Sequence, residues 1–227
     1  MGDGNGMFEI LYEDNHLLGI VKPCNMPVQE DESKDLDVLR YAKQYLKETY
    51  QKPGNVYVGL VHRLDRPVGG VMVLAKTSKA ASRLTKAMQE NQFQKTYLAI
   101  LDGIPPKQED TLLDYLYKNT KTNTVSVSDQ AHGKYAELSY QVLATHNNHA
   151  LVQIHLVTGR SHQIRVQFSS RGYPLLNDQR YHPSPKKGPI GLWAYQLSFP
   201  HPTTKDIMTL KAIPPMEQWK EFEVNVL

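Results

Sequence analysis

The feature that most constrains the fold is a run of short segments in the middle of the chain where apolar and polar residues alternate. These segments cover residues 122–127, 134–145 and 150–157. Alternation with a period of two places apolar side chains on one face of a strand, and closely spaced strands of this kind pair antiparallel. The pattern therefore predicts a run of antiparallel strands.

Strands are also predicted on both sides of this run, because short β-rich apolar segments there are bounded by turn-forming residues. A loop around Pro105-Pro106 precedes the central run. The additional predicted strands cover residues 8–12, 17–22, 56–61, 71–75, 95–101, 192–199 and 207–212.

Four segments predict helices. Residues 35–51 have apolar positions at near-helical spacing, with Ser33 or Asp35 as N-cap, and residues 78–91 can be capped by Ser78. Pro214 begins a last helix, since proline fits the first helical turn.

The remaining helix, residues 161–172, follows a break in the strand pattern. Ile164 and Phe168 are expected to face inward, and Arg160 and Arg165 outward.

Together these elements predict an α+β fold with a large mixed, mostly antiparallel central sheet flanked by helices and loops. A chain of 227 residues, 40% of them hydrophobic, is long enough to bury a sizeable core. We find no internal repeat and no clear linker. The sequence therefore predicts a flexible segment at residues 1–7 and a single domain at residues 8–227.

Cysteine content and hydropathy exclude several classes of protein. Cys24 is the only cysteine, which rules out an internal disulfide and a cysteine-cluster metal site. No apolar run approaches the roughly 20 residues that a membrane-spanning helix needs, and the N-terminus lacks the apolar core of a signal peptide. We therefore expect a cytoplasmic protein without a membrane partner.

Positive charge is concentrated in two segments. Residues 60–95 hold seven Lys or Arg against two Asp or Glu, and residues 155–187 hold six against one. Each segment therefore carries +5, although the whole chain carries only +3. This pattern suggests contact with a polyanion, while ordinary solvated helix faces remain an alternative.

An abruptly charged run, His62-Arg63-Leu64-Asp65-Arg66, follows one predicted strand and precedes the turn at Pro67 to Gly70. Asp65 is thus placed at a strand end as an exposed, reactive carboxylate. A surface ion pair with Arg63 or Arg66 and a turn-capping role are open alternatives.

Two further segments add groups suited to binding and chemistry. Tyr97 places a phenol on a predicted strand, within Lys95-Thr96-Tyr97. Residues 158–165 combine a turn, two guanidinium groups and several hydrogen-bond donors at a helix start, a position that attracts phosphate.

With these segments in place, the chain resembles the RluA family of pseudouridine synthases over residues 17–215. Six motifs occur in the family's order and at similar separations. They are Lys22-Pro23, the run at 62–65, the segment at 95–99, the segment at 158–165, Gly172-Tyr173-Pro174 with Asp178 and Tyr181, and residues 197–202.

The resemblance implies an enzyme that isomerises uridine in folded RNA, from tRNA or rRNA, without a cofactor. Asp65 would be the nucleophile on a flipped-out uridine, attacking either the ribose or the uracil ring. Tyr97 would stack on the uracil and act as base, and Arg165 would pair with Asp65. Because the target base leaves the stack, another group should fill the gap, and the resemblance suggests Arg63.

Other expectations concern recognition and assembly. The small RNA-binding domain that precedes the catalytic domain in many relatives is expected to be absent, so recognition would fall on the catalytic unit. We expect a monomer without a metal ion. The RNA contacts predicted in the two basic segments are His62, Arg63, Arg66, Arg160, His162 and Gln163.

The chain departs from the family pattern at a few positions. Residues 68–70 read Val-Gly-Gly where Thr-Ser-Gly is usual, which puts the turn geometry in doubt. Asn25 replaces a glycine, a mild change because asparagine tolerates the left-handed region. Trp193 stands where histidine is common, and nothing in the sequence explains it.

Two alternatives remain open. The first is a non-catalytic protein of the same fold that binds RNA or helps it to fold. The second is a metal-dependent hydrolase, because histidine and carboxylate sets bind metals. Its ligands would come from His62, Asp65, His155, His162 and Asp178.

Overall fold

The computed structural model describes residues 8–222, apart from the side chains of residues 216 and 217. The predicted flexible segment at residues 1–7 lies outside this range. The predicted α+β class, with a large, mostly antiparallel sheet, is confirmed. In chain order the elements are β1 (Glu9–Glu13), β2 (Leu17–Lys22), α1 (Val38–Thr49), β3 (Gly59–Leu60), β4 (Gly69–Ala75), α2 (Ser78–Gln89), β5 (Gln94–Asp102), β6 (Glu109–Asn119), β7 (Thr124–Ser128), β8 (Lys134–His146), β9 (His149–Leu156), α3 (Gln163–Ser169), β10 (Leu192–Pro200), β11 (Ile207–Lys211) and α4 (Met216–Trp219), followed by a 3-10 turn at Lys220–Phe222.

Within the described residues the chain forms two compact units, one of residues 8–93 with 196–212 and one of residues 94–195 with 213–222. In the first unit β2 pairs antiparallel with both β1 and β4. The second half of β10 pairs with β11. β2 and β4 are buried along nearly their whole length, because apolar residues occupy both of their faces. The charged run at 62–66 is the connection between β3 and β4.

In the second unit, the run of strands predicted from the alternating segments is present and antiparallel. β5 pairs with β9, β9 with β8, β8 with β6, and β6 with β7. Helix α3 lies against this sheet, where Val166 joins a buried cluster with Leu116, Val125 and Ala136. The second unit thus places the helix that follows the 158–162 turn against the strands β6 to β8.

Several sequence predictions are corrected by the structure. The predicted strand at residues 56–61 is a strand only at Gly59–Leu60. The N-cap of α1 is Asp37, not Ser33 or Asp35, and the N-cap of α2 is Thr77, not Ser78. Strand β6, eleven residues long, was not predicted.

The predicted orientation of α3 is only partly right. Ile164 and Phe168 are buried as expected. Arg165, however, is 4% exposed and does not face outward, because its guanidinium group binds a buried carboxylate. Among residues 8–222 no helix is both long and apolar enough to cross a bilayer.

Candidate active site

In the first unit, Asp65 opens a tight turn just before β4. The backbone N–H of Val68 donates to the Asp65 carbonyl oxygen at 2.9 Å, which closes the turn. Asp65 is partly exposed, while Leu64 and Val68 beside it are buried. The position beside a turn is as predicted, but Asp65 lies in the β3–β4 connection and not at a strand end, because β3 already ends at Leu60. The apolar neighbours anchor the backbone around the carboxylate.

His62 fastens the start of the same run to β4. Its Nε2 accepts a hydrogen bond from the backbone N–H of Val73 at 3.0 Å. An imidazole nitrogen that accepts carries no proton, so the proton of the neutral ring is on Nδ1. This contact positions the backbone of the run, whereas the RNA contact expected of His62 stays a prediction.

The two arginines that flank Asp65 differ in their surroundings. The Arg63 side chain is exposed and forms no hydrogen bond or ion pair with any other residue of the described chain. The Arg66 guanidinium binds Asp31 at 3.1 Å and also Asp35, in a loop before α1. Arg63 is therefore available to a ligand, while Arg66 already binds two carboxylates.

One departure from the family pattern, Asn25, fits the backbone, and so does Gly70, where the family pattern also has glycine. Asn25 has a φ of 63°, in the left-handed region that asparagine tolerates, as expected. Gly70 has a φ of 123°, which side-chain-bearing residues rarely adopt. The second glycine of the Val-Gly-Gly run thus takes the unusual conformation, while Gly69 is the first residue of β4.

In the second unit, Tyr97 lies in β5 opposite Ile154 of β9 and is 9% exposed. Lys95, two residues earlier, points to the same face of the strand. Its Nζ atom lies beside Gly159. A Cβ atom added to that glycine would be 3.4 Å from the Lys95 Nζ. Burial lowers the pKa of Lys95, and its ammonium group has no hydrogen-bond or ion-pair partner within residues 8–222.

Lys95 was missed as a functional candidate. The segment 95–97 was singled out in the sequence for its tyrosine alone, although the alternation of a strand already places residues 95 and 97 on one face. The positional signal was available, but the proximity of the ammonium group to Gly159 joins segments that are distant in sequence.

Arg165 forms the second unit's buried ion pair. Its Nε donates to Asp178 Oδ2 at 2.8 Å and a terminal nitrogen donates to Oδ1 at 2.7 Å, in the fork geometry that fixes a guanidinium plane. Asp178 is 0% exposed. The Arg165 carbon Cζ also lies 5.1 Å from the centre of the Tyr181 ring.

Asp178 is the partner that the sequence did not identify. Burial alone would raise its pKa, but hydrogen bonds from Arg165 and from the backbone N–H groups of Arg180 and Tyr181 outweigh burial, so the pKa lies below its usual value. The motif containing Asp178 and Tyr181 was recognised, yet Asp178 was considered only as a metal ligand in the hydrolase alternative. The pairing of Arg165 with Asp65 that the resemblance implies stays a prediction.

The turn before α3 is held by side chains that were predicted to touch RNA. Gln163 is 3% exposed, and its amide oxygen accepts from the Thr158 hydroxyl and the Arg160 backbone N–H. The Arg160 Nε donates to the Tyr135 carbonyl, which leaves an exposed guanidinium group with further donors. His162 Nδ1 lies 2.6 Å from the Tyr181 hydroxyl.

These contacts give the turn residues different potential roles. The described bonds of Gln163 and His162 are internal and fix the turn, whereas Arg160 keeps donors toward solvent. RNA contact by any of the three remains a prediction. Within residues 8–222, no three His, Cys, Asp or Glu side chains are grouped so that they could hold a metal ion. The metal-hydrolase alternative therefore has no ligand cluster in that range.

Comparison with known proteins identifies the family. The sequence profile of the RNA pseudouridylate synthase family matches residues 16–170, which include Asp65, Tyr97 and Arg165. Ribosomal large subunit pseudouridine synthase C of Buchnera aphidicola is 32% identical over 98% of this chain and 72% of that protein. The synthase D of Yersinia pestis is 34% identical, over 79% of this chain and 55% of that protein. The synthase C of Escherichia coli is 31% identical, over 92% of this chain and 66% of that protein. The chain thus spans between about half and three-quarters of the length of these relatives.

Solved structures agree on the fold. The human RNA pseudouridylate synthase domain containing 4 superimposes with a TM-score of 0.78 at 24% identity, covering 91% of this chain and 88% of that one. The human RNA pseudouridylate synthase domain containing 1 superimposes with a TM-score of 0.77 at 21% identity. The match covers 99% of this chain and 90% of that one. The predicted family and isomerase class are confirmed by the sequence matches, and the chain belongs to the RNA pseudouridylate synthase family.

Proposed function

We propose that this chain converts uridine in large-subunit ribosomal RNA to pseudouridine, with Asp65 as nucleophile. The observation that carries the proposal is the family match, since residues 16–170 contain all three residues of the predicted catalytic set. The choice of ribosomal over transfer RNA is supported by relatives named as large-subunit synthases C and D.

The reaction is an isomerisation, so every atom of the uridine is retained. The bond from ribose C1′ to N1 breaks, the uracil turns within the site, and a bond from C1′ to C5 forms. A carboxylate nucleophile divides this change into two easier steps, because the detached fragment is held between them. The proton on C5 must then leave, while N1 gains one.

Asp65 supplies the nucleophile because its turn presents a partly exposed carboxylate on a backbone fixed by Val68 and His62. Tyr97, nearly buried in β5, supplies a rigid aromatic face for stacking and a phenol oxygen to accept the C5 proton. Arg165, which the family resemblance implies as the partner of Asp65, supplies a guanidinium group whose plane Asp178 fixes.

RNA contacts are proposed for the cationic groups that have donors left over. Arg63 in the first unit and Arg160 in the second are exposed, and Arg63 is suited to fill the gap left by a flipped base. Lys95 joins them, because a half-buried ammonium group without an anionic partner favours a phosphate oxygen. We also propose that the protein acts as a cytoplasmic monomer, with neither metal nor cofactor.

The proposal is tested by offering the purified chain two sets of transcripts, fragments of large-subunit ribosomal RNA and transfer RNAs. Reactions are run in excess chelator, with monovalent salt to keep the RNA folded, and pseudouridine is mapped by position. We expect modification at defined uridines of the ribosomal fragments only. Modification of the transfer RNAs alone would overturn the choice of ribosomal RNA as substrate. The absence of pseudouridine from both sets would favour the non-catalytic RNA-binding alternative.

A further inference from the structure

A cavity in the second unit is lined by residues to which the proposed mechanism gives no part. Its volume is about 190 Å³, below the roughly 300 Å³ at which sites for drug-sized molecules begin, so it suits a single ring system. The cavity lies between the loop after β5, the strands β6 and β8, and the end of α3. Its aromatic lining residues are Tyr140, Phe168 and Tyr173, and its charged lining residues are Lys107, Asp110 and Arg171.

The aromatic wall of the cavity is held in place by its surroundings. Tyr140 is 6% exposed and Phe168 is 1% exposed, and their rings meet edge to face with centroids 5.3 Å apart. The backbone N–H of Tyr173 donates to the Phe168 carbonyl oxygen at 3.1 Å. The Tyr173 ring also lies against Gly103, where an added Cβ atom would be 3.1 Å from it. Fixed aromatic rings are surfaces on which an unstacked nucleobase of RNA can stack.

A carboxylate stands beside this wall. Asp110 is paired directly with Tyr140 between β6 and β8, so the two side chains share one face of the sheet. The Lys107 ammonium group donates to Asp110 at 3.0 Å, and this hydrogen bond lowers the pKa of Asp110. Asp110 is therefore ionised at neutral pH and acts only as an acceptor, while Lys107 keeps donors for a phosphate oxygen. Arg171, the other cation, already binds Asp114 through two hydrogen bonds.

An ionised carboxylate in this position discriminates among the four bases of RNA. Guanine presents its N1–H and its amino group side by side, so both oxygens of one carboxylate can accept from it. Adenine, cytosine and uracil each place an acceptor beside their donor, and that lone pair would face the carboxylate. The lining therefore favours guanine.

The cavity lies on the same face of the sheet as the proposed stacking residue. Tyr140 is paired with Ile154 of β9, and Ile154 is paired with Tyr97 of β5. Because neighbouring strands are about 4.8 Å apart, Tyr97 and Tyr140 are about 10 Å apart across the sheet. An RNA that presents a uridine to Tyr97 can thus present a second nucleotide to this face.

We propose that the cavity is a subsite for an unstacked guanine base of the substrate RNA. The base stacks on the aromatic wall, its N1–H and amino group donate to Asp110, and an adjacent phosphate oxygen binds Lys107. The inference rests on the proposed function, because it takes RNA as the substrate.

The test is calorimetric binding of three RNA pentamers to the full chain. Each pentamer consists of adenosines around a central guanosine, inosine or adenosine, and none contains a uridine that the proposed catalytic site could take. We expect the guanosine pentamer to bind most tightly. Inosine lacks the amino group, so its pentamer should bind about 10-fold more weakly, the effect of losing one hydrogen bond to a charged group. The adenosine pentamer should bind more weakly still.

Two variants locate the preference in the cavity. Asp110→Asn should bring the three affinities together, because an amide offers guanine one acceptor where the carboxylate offers two. The ratio of affinities is the readout, since Lys107, once released from Asp110, acts equally on all three pentamers. Glu109→Gln is the matched control, because Glu109 is the neighbouring exposed carboxylate and points to the opposite face of β6. It should keep the wild-type order.

Equal affinity of the wild type for the three pentamers would overturn the inference and favour an apolar side chain of a partner protein as the occupant. A guanine preference that survives in Asp110→Asn would also overturn it. A wild type that prefers guanine but forms no pseudouridine would instead overturn the proposed reaction and support the subsite, so the two failures are distinguishable.

Discussion

At the scale of single residues, a buried ion pair joins Arg165 on α3 to Asp178 in the loop that follows it. Tyr97 was expected on a strand and lies in β5. Asp65 was expected at a strand end beside a turn, and it opens the turn but lies in the connection after β3. The burial of Arg165 was not predicted, because it depends on Asp178, which lies 13 residues away beyond the end of α3. Spacing within one element cannot reveal a partner supplied by a later loop.

The Arg165–Asp178 pair gives a stability prediction. The Asp178→Asn variant should lower the free energy of unfolding by about 3 kcal/mol at pH 7, because it removes a carboxylate that forms two hydrogen bonds with a buried guanidinium group. Since the pKa of Asp178 is lowered in the fold, its stabilisation is complete above the unfolded value of about 3.9 and is lost as the pH falls through the folded value. The difference in free energy of unfolding between the variant and the wild type should therefore become smaller at acidic pH.

Urea unfolding at several pH values measures this difference. Asp129→Asn is the matched control, because Asp129 is an exposed carboxylate whose partner is His132. The Asp129→Asn substitution should change the free energy of unfolding by no more than about 0.5 kcal/mol. Equal effects of the two substitutions at pH 7 would contradict the role assigned to Asp178.

At the scale of elements, strand β6 lacks the regular alternation from which the other central strands were predicted. Its inward face carries Leu112, Asp114 and Leu116, and the carboxylate between the two leucines breaks the expected alternation. Asp114 is tolerated there because the Gln167 side-chain amide and the Arg171 guanidinium, from α3 and the residues just after it, bind it at 2.8 Å each. A tertiary contact thus compensates for a polar residue that hides the strand in the sequence.

Helix boundaries were predicted to within a few residues, yet both named N-caps were wrong. The sequence offers several capping residues close together, and only the backbone decides between them. At α2, Thr77 is extended and its hydroxyl accepts from the Ala80 backbone N–H at 3.1 Å, while Ser78 is already helical.

This distinction can be tested directly. Thr77→Ala should lower the free energy of unfolding by about 1 kcal/mol, because one backbone donor of α2 loses its acceptor. Ser78→Ala should change it little, since alanine favours a helical position. Thermal or urea unfolding of both variants provides the measurement, and the reverse order of effects would identify Ser78 as the cap.

At the scale of the whole molecule, affinity for RNA and chemistry on RNA depend on different groups. The two basic segments found in the sequence contribute Arg63, Lys95 and Arg160, which we expect to bind phosphate. The isomerisation is assigned to Asp65. Composition could indicate a polyanion partner, but the family was identified by motif order, and the single domain expected at residues 8–227 remains a prediction.

The most direct measurement is single-turnover formation of pseudouridine by the Asp65→Ala variant, with RNA affinity determined in parallel. We predict wild-type affinity and no product, because the basic residues are intact and the nucleophile is gone. The control variant Asp129→Ala should bind RNA and form pseudouridine like the wild type. Detectable pseudouridine from the Asp65→Ala variant would contradict the assignment of Asp65 as nucleophile.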